Sequence, residues 1–104
     1  MNKLLISMIL TATAFAGHAE EQPPTFKPEE IQPAFENHLK DAYSARFRKI
    51  RFFDNSGDVW MICGEVSSKN SYGAYVGYTP FRGIAIKDGK NTEYTVTAVG
   101  EFAC

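Results

Sequence analysis

The chain has 104 residues, 44% of them hydrophobic, and its 11 basic and 12 acidic side chains leave a formal charge of −1. That balance excludes a general attraction to nucleic acid or to an anionic membrane, so an electrostatic partner has to be read from local clusters. Two cysteines and two histidines lack the closely spaced pairs of a structural zinc site, and no metal or other cofactor is expected.

In chain order, Lys3, the apolar run Leu4 to Phe15 and the ending Gly17-His18-Ala19 have the layout of a secretory signal cut after Ala19. The run is too short to span a bilayer and is followed at once by Glu20 and Glu21, so no stable membrane span is expected in the mature form. About 85 residues remain, enough for one modest core. Residues 20–28, with three prolines, read as a flexible leader, and 29–104 as a single domain. Export places the protein in the periplasm or outside the cell. There an even cysteine count favours a Cys63–Cys104 disulfide. Closing a loop of roughly 40 residues is worth about 4 kcal/mol in the chain-entropy model.

Ile31, Phe35, Leu39, Ala42 and Tyr43 recur at helical spacing, which predicts one amphipathic helix with Pro33 in its first turn and a regular part starting near Gln32. Asp41 is placed to cap a further short turn through Ala45. Beyond Arg46 the period becomes that of strands. Ile50 and Phe52 share a face, Asp54 to Asp58 is a turn cluster, and Val59 to Val66 is a second strand. Ser67 to Gly73 reads as a polar loop and Ala74 to Phe81 as a third strand, continued after a bend by Gly83 to Lys87. Asp88-Gly89 marks a hairpin, and Thr92 to Val99 alternates as the last strand. The expected fold is α+β, an N-terminal helix packed on a four-stranded antiparallel meander, because short connections make sequential strands neighbours.

The run from Cys63-Gly64-Glu65-Val66 through Lys69-Asn70-Ser71-Tyr72-Gly73, Tyr75, Gly77-Tyr78 and Pro80-Phe81, preceded by Ala45-Arg46-Phe47-Arg48, resembles the signature of small exported proteins of Gram-negative bacteria and their phages. Ser67-Ser68 stands where that group carries Asn-Ala. The resemblance covers roughly half the mature chain and implies an envelope or secreted location, with no defined activity.

Two constellations are candidates for contact with a partner. Lys69, Asn70, Ser71, Tyr72 and Tyr75 put hydrogen-bonding groups, a cation and aromatic rings on one loop, a surface suited to an envelope protein or a glycan. The bland alternative is that Asn70 and the serines satisfy the loop's own backbone and that Tyr75 is core. Arg46 and Arg48, with Lys49 and Arg51, concentrate positive charge that fits an anionic contact or, more plainly, a solvated strand edge protected against pairing. The leading reading is a noncatalytic binding module, in one concrete version an inhibitor of a wall-degrading hydrolase. The alternatives are a small hydrolase using Glu65 with Asp54, Asp58 or Glu93, which needs a raised Glu65 pKa and a nearby second carboxylate, and a structural accessory of an envelope assembly.

Overall fold

The computed structural model describes residues 22–104. The signal segment and the start of the leader lie outside the described residues. The fold is a small α+β domain in which four strands form one antiparallel sheet in sequence order: β1 (Arg46–Ser56), β2 (Val59–Ser67), β3 (Thr79–Asp88) and β4 (Asn91–Val99). β1 and β2 meet at a turn where Gly57 takes φ +62° and Asn55 Nδ2 donates to the Gly57 carbonyl at 2.6 Å. β3 and β4 meet at Asp88–Asn91, where Gly89 takes φ +64°.

Alternation along the strands divides the sheet into a covered face and an open one. Phe47 lies opposite Val66, Phe52 opposite Ile62, Gly64 opposite Phe81 and Ala85 opposite Tyr94. These residues, with Val96, form the sheet half of the core, and Ile31, Phe35, Ala42 and Ala45 cover them. Phe35 is the centre of the aromatic packing, with ring centroids 5.1 Å from Phe81 and 5.7 Å from Phe47. Burial of these rings supplies most of the driving force in so small a core.

The covering layer is not the long helix expected from the periodicity. A single α-helical turn, α1 (Pro28–Ile31), gives way to a 3₁₀ turn at Gln32–Phe35, then to irregular turns, and a second 3₁₀ turn at Ala42–Ser44 leads into β1. Pro33 is the physical cause. It has no amide to donate, and its ring disfavours the α ladder behind it. Asn37, His38 and Asp41, all weaker helix formers than Ala or Leu, follow it and do not favour restarting a helix. The buried positions Ile31, Phe35 and Ala42 therefore reach the sheet from successive turns, while Tyr43 points outward at 61% exposure. Asp41 precedes the Ala42–Ser44 turn as expected, but its side chain makes no cap; its carbonyl accepts from the Ser44 amide at 3.1 Å and from Ser44 Oγ at 2.8 Å.

Packing starts earlier in the chain than Glu29. Pro24 is buried, and the Phe26 ring lies edge-on to Phe47 at 5.4 Å and to Tyr94 at 6.4 Å. An aromatic ring so placed is drawn out of water, and the prolines around it, with φ already restricted, lose little freedom in following it. Nearby, Glu30 Oε2 accepts the Thr92 amide at 3.1 Å, and burial together with the Glu30 carboxylate pushes the Tyr94 phenol up to about 12.

The third strand also differs. It is unbroken from Thr79, and Ala74–Tyr78 belongs to the preceding loop. Ala74 and Val76 are exposed and so have no face to bury, and Gly73 turns the chain at φ +80°. The expected bend near Arg82 is a register shift against β4, where Thr97 is the extra residue and its Oγ1 donates to the Arg82 carbonyl at 3.1 Å.

Candidate functional site

The open face carries the residues that alternate with the core. Arg48 lies opposite Glu65, Arg51 opposite Cys63, and Cys63 opposite Arg82. Arg48 and Arg51 are three apart and in a regular strand would point to opposite faces. A β-bulge restores them to the same face: Lys49 and Ile50 together stand against Gly64, and Lys49 adopts φ +57°. Gly64 makes this possible, since a Cβ there would come within 2.6 Å of Ile50 Cδ1 and 3.0 Å of Phe81 Cε1. Ile50 thus packs inward over the glycine while Lys49 turns toward Glu65.

Above this strand end stands the loop from Ser68 to Tyr78, which is pinned at several points. Ser67 Oγ donates to the Val76 carbonyl, and the Val76 amide to the Ser68 carbonyl at 3.3 Å. A single antiparallel bridge pairs Lys69 with Tyr75. The Lys69 amide donates to Ser44 Oγ at 2.8 Å, and the Tyr75 hydroxyl to the Ser44 carbonyl at 2.8 Å. Asn70 closes the tip: its Oδ1 accepts from the amides of Tyr72 at 2.9 Å and Ala74 at 3.1 Å, and its own amide donates to the Ala74 carbonyl at 2.8 Å.

Two constellations that are separate in sequence meet here. The Arg46 guanidinium lies 3.7 Å from the Tyr75 ring centroid, with Lys69 Nζ 5.8 Å from the same ring, and the Arg48 guanidinium lies 4.0 Å from the Tyr78 centroid. Each contact is a cation–π pair, and together they couple the loop to the edge strand. Of the residues expected to bind, Asn70 is spent on loop structure and Tyr75 is half-buried; Ser71 and Tyr72 are exposed at the tip, Tyr72 at 93%. Arg46 and Arg48 are exposed as well, though committed to rings.

Arg48 Nε also donates to Glu65 Oε1 at 2.6 Å. That hydrogen bond, helped by the charges of Lys49 and Arg48 and opposed by partial desolvation, holds the Glu65 carboxyl below its usual range. The direction is opposite to what a general acid needs. Glu93 lies on the row of Ile86 and Val59, about 20 Å along β2 from Glu65 at the usual strand rise. Asp54 and Asp58 are at that far end too, so none of the three forms a carboxylate pair with Glu65.

The disulfide joins Cys63 in the sheet centre to Cys104, with Cα atoms 6.0 Å apart, and lies on the open face. It holds the segment after β4, where the Gly100 amide donates to the Pro80 carbonyl at 2.8 Å and Phe102 is 92% exposed. A shallow cavity of about 190 Å³ lies beside it, lined by Lys49, Arg51, Cys63, Gly64, Glu65, Pro80 and Cys104. The basic concentration at Lys49 and Arg51 is visible in the sequence, but the cavity they line, the bulge that forms it and the exposure of Phe102 are not. The readable signal was Phe47 followed by Ile50 and Phe52, three core side chains that cannot share a face without a bulge.

Among the described residues no group of His, Cys, Asp and Glu could hold a metal ion, and no helix is long and apolar enough to cross a membrane. The disulfide is compatible with an extracytoplasmic location. No family model matches the chain, and comparison with curated proteins and with solved structures likewise finds no match.

Proposed function

We propose that this domain is a noncatalytic binding module of the envelope or the secreted fraction, and that it presents the Lys69–Tyr78 loop to an acidic concavity of a partner protein. One observation carries the reading: the loop's backbone is pinned from within by Asn70 and from the neighbouring elements by Ser67 and Ser44, while Tyr72 at its tip is 93% exposed. A loop already held in one shape loses little entropy on binding, and an exposed tyrosine is a strong anchor. Lys69, Arg46 and Arg48 give the surroundings a positive charge that steers toward an acidic surface. A hydrolase cleft with paired carboxylates has that chemistry, and occupying it would inhibit the enzyme.

A protein fits better than a glycan. Sugars favour platforms of several open aromatic faces, whereas Tyr75 has cations near its ring and Tyr78 carries Arg48, which leaves Tyr72 as the single open ring of the loop. A projecting tip suits insertion rather than a sugar platform. The resemblance to exported proteins of Gram-negative bacteria and their phages agrees with an envelope target and extends to a prophage setting.

Capture from envelope and peptidoglycan extracts, with the oxidised protein beside a folded Lys69→Ala/Tyr72→Ala variant, tests the reading. The expected result is a protein retained by the wild type and released by the variant. Retention by both removes the loop as the contact, and retention of glycan alone removes the protein partner.

A further inference from the structure

The loop leaves a second group of cations unused. On β1, Lys49 and Arg51 line the cavity beside the disulfide, and among the described residues neither belongs to an ion pair, the one salt bridge being Arg48–Glu65. Lys49 sits in the left-handed region at φ +57°, a conformation that glycine, asparagine and aspartate adopt with less strain. A cation kept at such a position, on a bulge that also turns Arg48 and Arg51 to one face, is a charge held in place against local preference. Contrast the lysines at the other end of the sheet: Lys27 Nζ donates to the Lys90 carbonyl at 3.3 Å and Lys87 Nζ to the Gln22 carbonyl at 2.9 Å. Those two charges are spent on backbone carbonyls, whereas on β1 Lys49 acts on Glu65 only through its charge and Arg51 lies 5.5 Å from the Phe53 ring centroid, so that among the described residues neither guanidinium nor ammonium has a hydrogen-bonded partner.

We infer that the bulge on β1 builds a carboxylate cradle, in which Lys49 and Arg51 receive the side-chain carboxylate of an acidic segment of a protein partner. Arg51 supplies a planar fork for the two oxygens and Lys49 a point charge. Pro80 and the Cys63–Cys104 bridge give the adjoining methylenes an apolar floor, and Glu65, which lines the same cavity, has its Oε1 bound to Arg48, so its hydrogen bond goes to Arg48 and not to Lys49 or Arg51. The strand edge itself is no template for an added strand, because Lys49 and Asp54, at φ +57° and +52°, interrupt the β1 ladder at two points. Recognition at this edge is therefore by side-chain charge. The site goes beyond the loop contact and uses different residues.

The test is titration of the ¹⁵N-labelled oxidised protein with a blocked hexaglutamate peptide, with blocked hexaglutamine, a single blocked glutamate and inorganic phosphate as controls. Hexaglutamate is expected to move the amides of Lys49, Arg51, Cys63 and Gly64 saturably, the single glutamate to move the same amides more weakly, and hexaglutamine to leave them in place. A Lys49→Gly/Arg51→Gln variant should weaken the peptide by about tenfold or more, as loss of a paired charge does, while its remaining amide spectrum stays that of the folded domain. Tyr72→Ala should bind hexaglutamate like the wild type, so that failure of the loop reading and failure of the cradle give different results. The proposal is overturned if the shifts spread evenly to Lys27, Lys87 and Lys90, if the double variant binds as well as the wild type, if Tyr72→Ala abolishes binding, or if phosphate saturates the same amides at lower concentration than the peptide.

Discussion

On the covered face of the sheet Phe47, Ile62, Val66 and Phe81 meet the turns that precede β1, and on the open face the residues between them are Arg48, Cys63, Glu65 and Arg82. The same four strands thus carry two unlike surfaces. The first is dry and aromatic, and its side chains hold the fold together. The second is charged, is crossed by the disulfide and opens onto the loop, and it leaves Lys49 and Arg51 without an ion-pair partner among the described residues. Substitutions on the two faces should consequently separate stability from binding.

The largest separation is expected from Phe81→Ala, which removes a fully buried ring that touches Phe35 and Phe47. Denaturant unfolding should register a loss of about 3–5 kcal/mol, enough to unfold a domain of this size. The disulfide is the exception on the open face. Replacing Cys63 and Cys104 by serine frees a loop with a sequence separation of 41, and unfolding of the variant should show a loss of about 4 kcal/mol. A value near zero would mean that the bridge does not restrain the unfolded chain as the loop-closure argument requires.

Lys49→Gly sharpens the comparison in the other direction. Relief of a positive φ should raise stability by about 0.5–1 kcal/mol, after allowance for the extra freedom of glycine in the unfolded chain. Calorimetry would then find a higher melting temperature in a protein that binds acidic peptide less well. The smallest effects are those of pH. Glu65 is depressed in the folded protein, so its pairing with Arg48 is fully present above the ordinary carboxylate pKa and is lost as pH falls through the lower folded value. Tyr94 is the reverse case: raised to about 12, it leaves stability intact below the ordinary tyrosine pKa of about 10 and withdraws it as pH rises through the folded value. Alkaline melting should therefore steepen between those limits, and Tyr94→Phe should flatten it.

Much of this division was legible in the sequence. The apolar run Val59 to Val66 placed β2, alternation placed β4, the clusters Asp54 to Asp58 and Asp88-Gly89 placed both hairpin turns, and an even cysteine count in a chain expected to be exported pointed to the disulfide. The covering layer was misread because Ile31, Phe35 and Ala42 do fall at helical spacing and are buried, yet Pro33 breaks the ladder that would join them. Spacing reports which side chains go inward and not the hydrogen bonds that carry them there. The loop extends further than expected, since Ala74 to Phe81 is rich in tyrosine and valine as strands are, yet Tyr75 and Tyr78 stack under arginines of another strand. Pairing of that kind depends on the β1–β2 register and on a bulge set by the absence of a side chain at Gly64. Neither is local in sequence.

Amide hydrogen exchange in the free protein tests most directly whether the loop is preformed for binding. The amides of Tyr72, Ala74 and Val76 should be protected well beyond open-chain rates, and Asn70→Ala should release Tyr72 and Ala74 while Val76, held by Ser68, stays protected. Exchange of all three at open-chain rates in the wild type would contradict a loop held ready for its partner.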